Sequence, residues 1–219
     1  MTAPVRPTAR SRSRPVRPAS DPRSRYTWDR ASARYRAASG RYVGAQDVRH
    51  ALDEAIVSAN DRITLLSERL RTRKISVDEW QLGMRQAVKE TQLYGAASAR
   101  GGWAQMSPAD YGAVGRRVRD QYAYLDRFAA DIRAGLPTDG QFLSRARMYG
   151  ASARVSMEAV VRDEAILRGA TEGRSVLHVA EHCAQCVDEA AAGFRPVDEV
   201  APIGSRTCGV YDRCTMEYR

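Results

Sequence analysis

Residues 46–72 read QDVRHALDEAIVSANDRITLLSERLRT, and in this stretch Val48, Leu52, Ile56, Ala59, Ile63, Leu66 and Leu70 recur every three or four positions. That spacing follows the 3.6-residue turn of one helix face, so the stretch predicts a long amphipathic helix that buries one stripe. Working outward, Ser76 followed by Glu79 is a capping-box signature, and Trp80, Met84, Val88 and Thr91 carry a second helix to Gly101-Gly102. Ser107-Pro108 with Asp110 starts a third, along Tyr111, Val114, Val118, Tyr122, Leu125, Phe128 and Ile132 to Gly135. Thr138 opens a fourth, with Phe142, Tyr149, Ala153, Met157 and Val160 inward and Gly169 and Gly173 near its end. The expected fold is mainly α, a bundle or hairpin stack of about four long helices over 45–173. An internal echo joins the second and fourth: Tyr94-Gly-Ala-Ala-Ser-Ala-Arg100 and Tyr149-Gly-Ala-Ser-Ala-Arg154. Small residues let helices approach closely, so the two segments are expected to meet.

The flanks differ in kind. Residues 1–49 hold twelve arginines against Asp21, Asp29 and Asp47, whereas residues 50–219 hold 23 basic and 23 acidic groups, so the net charge of +9 resides in the N-terminal flank. Residues 1–25 contain five prolines and seven arginines (Arg6, Arg10, Arg12, Arg14, Arg17, Arg23 and Arg25) with only Val5 and Val16 as bulky aliphatics. Such a composition cannot bury enough apolar area to order itself. Residues 26–44 interleave Tyr26, Trp28, Tyr35 and Tyr42 with Arg30, Arg34, Arg36 and Arg41, a pattern suited to ordering against a partner. Residues 1–44 are therefore read as a basic tail whose seven leading arginines contact nucleic acid. The charged N-terminus lacks an apolar stretch, so a chain without a secretory signal is expected, and its prolines break the helix a transit peptide requires. No run approaches the ~18 apolar residues of a spanning helix, and no membrane partner is expected.

After Gly173 the helical period stops, and 174–219 read as a small loop-rich module with strand-like pieces that contains all four cysteines. Cys183-x2-Cys186 is the spacing with which one knuckle grips a tetrahedral ion, and Cys208 and Cys214 stand where a second pair would close the site. Structural zinc, one or two disulfides, and buried unliganded cysteines are the three readings open to this pattern. His182 abuts the knuckle. The chain has no phosphate-cradling Gly loop, no Gly-x-Ser-x-Gly elbow, no His-Glu-x-x-His pair and no EF-hand loop, and its carboxylates are spaced as solvated helix-surface pairs. No catalysis is expected.

Several stretches together resemble a known group. His182-Cys183-Ala-Gln-Cys186, Gly193-Phe-Arg-Pro-Val197, Pro202-Ile-Gly-Ser-Arg-Thr-Cys208 and Arg213-Cys-Thr-Met-Glu-Tyr218 are similar to the C-terminal region of phage head-morphogenesis proteins of the Mu F-like minor capsid group. Glu79-Trp-Gln81, Gly101-Gly-Trp103 with Met106-Ser-Pro-Ala-Asp110, and Arg147-Met-Tyr-Gly150 extend the similarity over roughly 76–219. The resemblance implies a virion protein assembled in the bacterial host cytoplasm, a minor head or head-to-tail connection component. It would oligomerise in the particle, pack on portal or capsid subunits, and touch packaged DNA through its tail. Where that group ends in Cys-Arg-Cys, this chain has Asp212-Arg213-Cys214, so Asp212 joins the candidate ligands. The alternative class is a nucleic-acid-binding regulator with a zinc-ribbon-like C-terminus. Against it, residues 174–219 carry five arginines and seven acids, where a base-reading module needs its own positive footprint.

Overall fold

A computed structural model describes residues 26–178 and 181–219. Five helices build the body: α1 (Ala45–Arg71), α2 (Val77–Arg100), α3 (Pro108–Arg133), α4 (Gly140–Ala151) and α5 (Ala153–Leu167). The protein is mainly helical and its helices pack as a bundle, with a small strand-containing, cysteine-rich region at the C-terminus. The caps lie where the sequence puts them. Ser76 and Glu79 exchange side-chain and backbone bonds at the start of α2, and Ser107 and Asp110 do the same for α3, with Pro108 in the first turn.

Two apolar clusters fill the bundle. At the end where α1 turns into α2, Trp80, Phe128 and Phe142 meet with ring centroids 5.3–5.6 Å apart, surrounded by Ile63, Met84, Val88, Leu125 and Tyr149. The indole N–H of Trp80 donates to Ser67 Oγ, so the largest core side chain leaves no buried donor unpaired. The other cluster gathers Val48, Leu52, Ile56, Ala96, Ala99, Val114, Met157 and Val160.

The Tyr94–Arg100 and Tyr149–Arg154 segments meet between these clusters. A Cβ built on Gly95 would lie 2.9 Å from the carbonyl carbon and 3.2 Å from the Cα of Ala153, so only glycine permits this approach of α2 to the start of α5. Gln92 reinforces the crossing, its Nε2 donating to Ser152 Oγ at 2.7 Å and its Oε1 accepting from Ser156 Oγ. Here the structure departs from the single fourth helix expected from Thr138 onward, because α4 ends at Ala151 and α5 begins at Ala153. Ser152 explains the break. Its hydroxyl donates back to the Tyr149 carbonyl at 2.6 Å while accepting from Gln92, which competes with the helical ladder at that turn.

The N-terminal flank requires a correction. Residues 1–25 lie outside the described residues, but 26–43, read from the sequence as part of a 1–44 tail, form an antiparallel sheet: β1 (Tyr26–Asp29), β2 (Arg34–Ala37) and β3 (Tyr42–Val43), in that order. Period-two alternation turns Tyr26 and Tyr35 inward to the cluster of Val48, Leu52 and Met157, and Tyr35 Oη donates to the Ala99 carbonyl at 2.8 Å. Gly101, at φ +77°, admits the β1 backbone, since a Cβ there would stand 2.6 Å from Thr27 Cα. Arg100 closes the corner from inside. Its guanidinium pairs with Asp110 at 2.8 Å and with Glu164, while Glu164 Oε1 also accepts from the Trp28 indole at 3.4 Å. One buried cation thus ties together α2, α3, α5 and β1.

Candidate metal centre

The C-terminal region is built on β4 (Glu172–Val176), which pairs antiparallel with β5 (Arg195–Pro196) on one side and β6 (Thr215–Tyr218) on the other. Between β4 and β5 a short helix, α6 (Ala184–Ala191), starts directly after Cys183. The Cys183 carbonyl accepts from the Cys186 and Val187 N–H groups at 3.0 and 3.2 Å, a tight turn that presents both thiols on one side. Cys208 precedes a one-turn 3-10 helix (Gly209–Tyr211), and Cys214 immediately precedes β6. Two loops and a helix start therefore bring together cysteines as much as 31 positions apart.

Cys186 is the centre of the group. Its sulfur lies 3.3 Å from Cys183 Sγ and 3.4 Å from Cys208 Sγ, and all four cysteines are free thiols. A disulfide brings sulfurs to about 2.05 Å, whereas a tetrahedral ion with metal–sulfur distances of about 2.3 Å separates them by about 3.8 Å. The observed separations sit close to the second value. Two overlapping sets share Cys186: Cys183, Cys186 and Cys208 in one, Cys186, Asp212 and Cys214 in the other, each with ligand atoms mutually within 4.8 Å. These clustered cysteines could bind a metal. Val200, Ile203 and Met216 pack with Cys186 and Cys214 in one buried apolar cluster.

A buried charge pair lies beside the cysteines. Asp212 is 1% exposed, and its Oδ1 accepts from the Cys214 N–H at 3.0 Å, while Oδ2 is buried with no hydrogen-bond partner. The nearest positive group, Arg206 Nη1, is 3.6 Å away. That guanidinium is the charge that offsets the buried carboxylate, at an ion-pair distance beyond hydrogen-bond reach. The thiols respond to the same surroundings. Burial, then the charge of Asp212, pushes Cys214 up to about 12, and burial raises Cys208 as well. Cys183, beside the Cys186 backbone N–H and its thiol, is lowered. A divalent cation would reverse the rise at Cys208 and Cys214, because a coordinating thiol is deprotonated outright.

The five candidates expected from the sequence, Cys183, Cys186, Cys208, Asp212 and Cys214, divide between these two triads, which share Cys186. His182 also approaches, its Nδ1 3.8 Å from Cys214 Sγ. The tail arginines from Arg6 to Arg25 lie outside the described residues. Sequence reasoning missed Arg206, whose side chain is fully buried beneath the cluster. Its Nη1 donates to Ser175 Oγ at 2.9 Å and stands 3.9 Å from Cys186 Sγ, and its Nη2 donates to the Ala201 carbonyl at 3.0 Å. An arginine between serine and threonine in a loop carries no burial signal, and only tertiary packing assigns it.

The module leans on the helical body. Gly204, at φ +90°, lies so near α5 that a Cβ there would be 3.1 Å from Val155 Cγ1, and Arg162 donates to the Val197 and Val200 carbonyls at 2.6 and 3.3 Å. Arg117, Glu158, Arg162, Ile203, Met216 and Tyr218 line the groove between the two parts. Compared with known proteins, the chain matches no family model, no curated protein and no solved structure.

Proposed function

We propose that this chain is a non-catalytic structural protein of a phage particle, a minor head or head-to-tail connection component that packs on portal or capsid subunits. In this reading the helical body supplies protein contacts, and the basic N-terminal segment, Arg6 to Arg25, lies against packaged DNA. A zinc ion holds the C-terminal module through Cys183, Cys186, Cys208 and Cys214. Zinc fits the donor set, because thiolates in a closed tetrahedral arrangement are typical of structural sites, whereas catalytic zinc keeps an open position. Asp212 is assigned outside the ligand set, since its Oδ1 is engaged by the Cys214 N–H and its Oδ2 faces Arg206.

One observation carries the reading. The segments on which the resemblance to Mu F-like minor capsid proteins rests, the Cys183 knuckle, the Pro202–Cys208 loop and Cys214–Tyr218, converge on one cluster whose buried members include Cys186, Ile203, Cys214 and Met216. Quantitative mass spectrometry of particles purified from a host strain encoding the chain tests it. A fixed copy number relative to the major capsid protein is expected, and absence from intact particles overturns the proposal.

A further inference from the structure

The N-terminal sheet has two unlike faces. Tyr26, Tyr35 and Val43 point into the bundle, so alternation turns Thr27, Asp29, Arg34, Arg36 and Tyr42 outward. On the outer face Tyr42 is 51% exposed and carries two guanidiniums, Arg34 at 4.8 Å and Arg36 at 4.4 Å from its ring centroid. Arg36 is committed within the sheet, because it pairs with Asp29 at 2.8 Å and donates to Tyr42 Oη at 2.9 Å. That pair neutralises the only acid on the face. Arg34 and Arg41, both exposed, have no ion pair among the described residues. Residues 26–44 hold four arginines against one aspartate, while residues 50–219 are balanced at 23 basic and 23 acidic groups. The sheet region thus carries a net positive charge of its own, with Arg30 turned to Glu164 at 3.4 Å and Arg34 and Arg41 left for other partners.

We propose that the outward face of β1–β3 is a docking surface for the phosphate backbone of nucleic acid, with Arg34 on the face and Arg41, exposed in the turn that leads into β3, at its edge as the contacting cations, and Tyr42 and Arg36 as the residues that hold the surface in place. The guanidinium fork matches phosphate oxygens in two-point fashion, and a side chain already ordered over an aromatic ring loses less freedom on binding. Backbone contact fits better than base reading, because guanidiniums stand over the Tyr42 ring where a base would stack. An acidic protein partner fits less well, since protein interfaces need an apolar centre and the one outward aromatic, Tyr42, is covered by the Arg34 and Arg36 guanidiniums. The sheet also begins at Tyr26, the residue bonded to Arg25, so the seven arginines of 1–25 attach at this surface. Linked sites reinforce one another through effective concentration. The inference rests on the reading that the chain meets packaged DNA and extends it from residues 1–25 to a folded surface.

The test uses the full chain and a 30-base-pair duplex, with binding followed by fluorescence anisotropy over a salt series. Each lost phosphate contact lowers the slope of log K against log salt by about 0.9, so Arg34→Gln with Arg41→Gln should flatten it by about 1.8. The control, Arg69→Gln with Lys74→Gln, removes the same charge at the far end of α1, roughly 36 Å along the helix, and should leave the slope unchanged. Melting temperatures identify any variant that fails to fold, and Arg41→Gln alone should then show the single step. A slope unchanged in the Arg34/Arg41 variant overturns the docking surface and leaves the role of residues 1–25 intact. Equal flattening in both double variants overturns it in favour of bulk charge. Loss of binding to phosphatidylserine vesicles with duplex binding unchanged assigns the face to lipid and overturns it too. A wild-type chain that does not bind the duplex removes both this surface and the DNA contact of the tail.

Discussion

Substituting Gly95 by alanine probes the closest approach in the bundle. The added methyl would meet backbone, 2.9 Å from the carbonyl carbon of Ala153, with the carbonyl oxygen closer still. Restoring ordinary carbon contacts of roughly 3.5–4.0 Å to the carbonyl carbon alone requires α2 and α5 to part by about 0.6–1.1 Å, and clearing the nearer oxygen requires more. No side chain can rotate away to absorb this. The displacement would loosen Ala96, Ala99, Met157 and Val160 together and disturb the Gln92–Ser152 bond. Overpacking of this kind costs roughly 1–3 kcal/mol, and a backbone obstacle places it near the upper end. Replacing glycine inside a helix returns about 0.8–1.0 kcal/mol of propensity, which leaves a net destabilisation of about 2 kcal/mol. For a chain of this length that corresponds to a fall in Tm of about 4–8 °C, readable by circular dichroism and checked by urea unfolding. Gly115→Ala in α3 is the internal control, because a Cβ there meets nothing within 4 Å. Propensity alone should then raise Tm by about 2–4 °C. The reasoning is refuted if Gly95→Ala melts at or above wild type, since the crossing would then have room the structure denies.

Other consequences can be checked alongside. Arg100→Met should cost about 3–5 kcal/mol, because it leaves the buried carboxylate of Asp110 without its cation and Glu164 with only the exposed Arg30; chemical denaturation measures it. Burial works to raise the Asp110 pKa, but the Arg100 guanidinium and the Ser107 donors outweigh it and hold the group below the usual carboxylate value. The stabilisation from this lowered pKa is full above the unfolded value near about 4 and is lost as pH falls through the folded one, so wild type should unfold on that side, and Arg100→Met at higher pH. Deleting residues 2–25 removes seven arginines and should flatten the salt slope of duplex binding by up to about 6 while leaving the helical circular dichroism signal in place. Equal slopes for the two chains would remove the tail from DNA contact. Cys183→Ser, or chelation, should speed amide exchange across residues 181–219 and leave α1 to α5 protected; uniform exchange in both states would show that docking on the body alone holds the module.

Much of the bundle was legible because its signals are local. The Val48–Leu70 stripe, the Ser76/Glu79 and Ser107/Asp110 boxes and the stop at Gly101 each act within a few residues, and all appear in the structure. The repeated Tyr-Gly-Ala segments also pointed to a real crossing, because small residues at one helix face mark close approach wherever they find a partner. What escaped depends on distant contacts. Tyr26 and Tyr35 alternate as a strand pair should, but arginines between them masked the burial that only the groove beside Ala99 and Met157 supplies. Ser152 resembles any helical serine until Gln92, sixty positions earlier, engages it. At the candidate centre the Cys-x2-Cys spacing named the knuckle. The geometry around Asp212 and the buried guanidinium of Arg206 required the loop from Val200 to Cys208 to fold back over it.

Zinc content, read together with X-ray absorption at the zinc edge on full-length protein purified without chelator, tests the metal-held module most directly. The account predicts one zinc per chain in a shell of four sulfurs at about 2.3 Å, with Cys214→Ser reducing that shell to three. Substoichiometric zinc in the purified chain, accompanied by a disulfide joining Cys186 to Cys183 or Cys208, would contradict it.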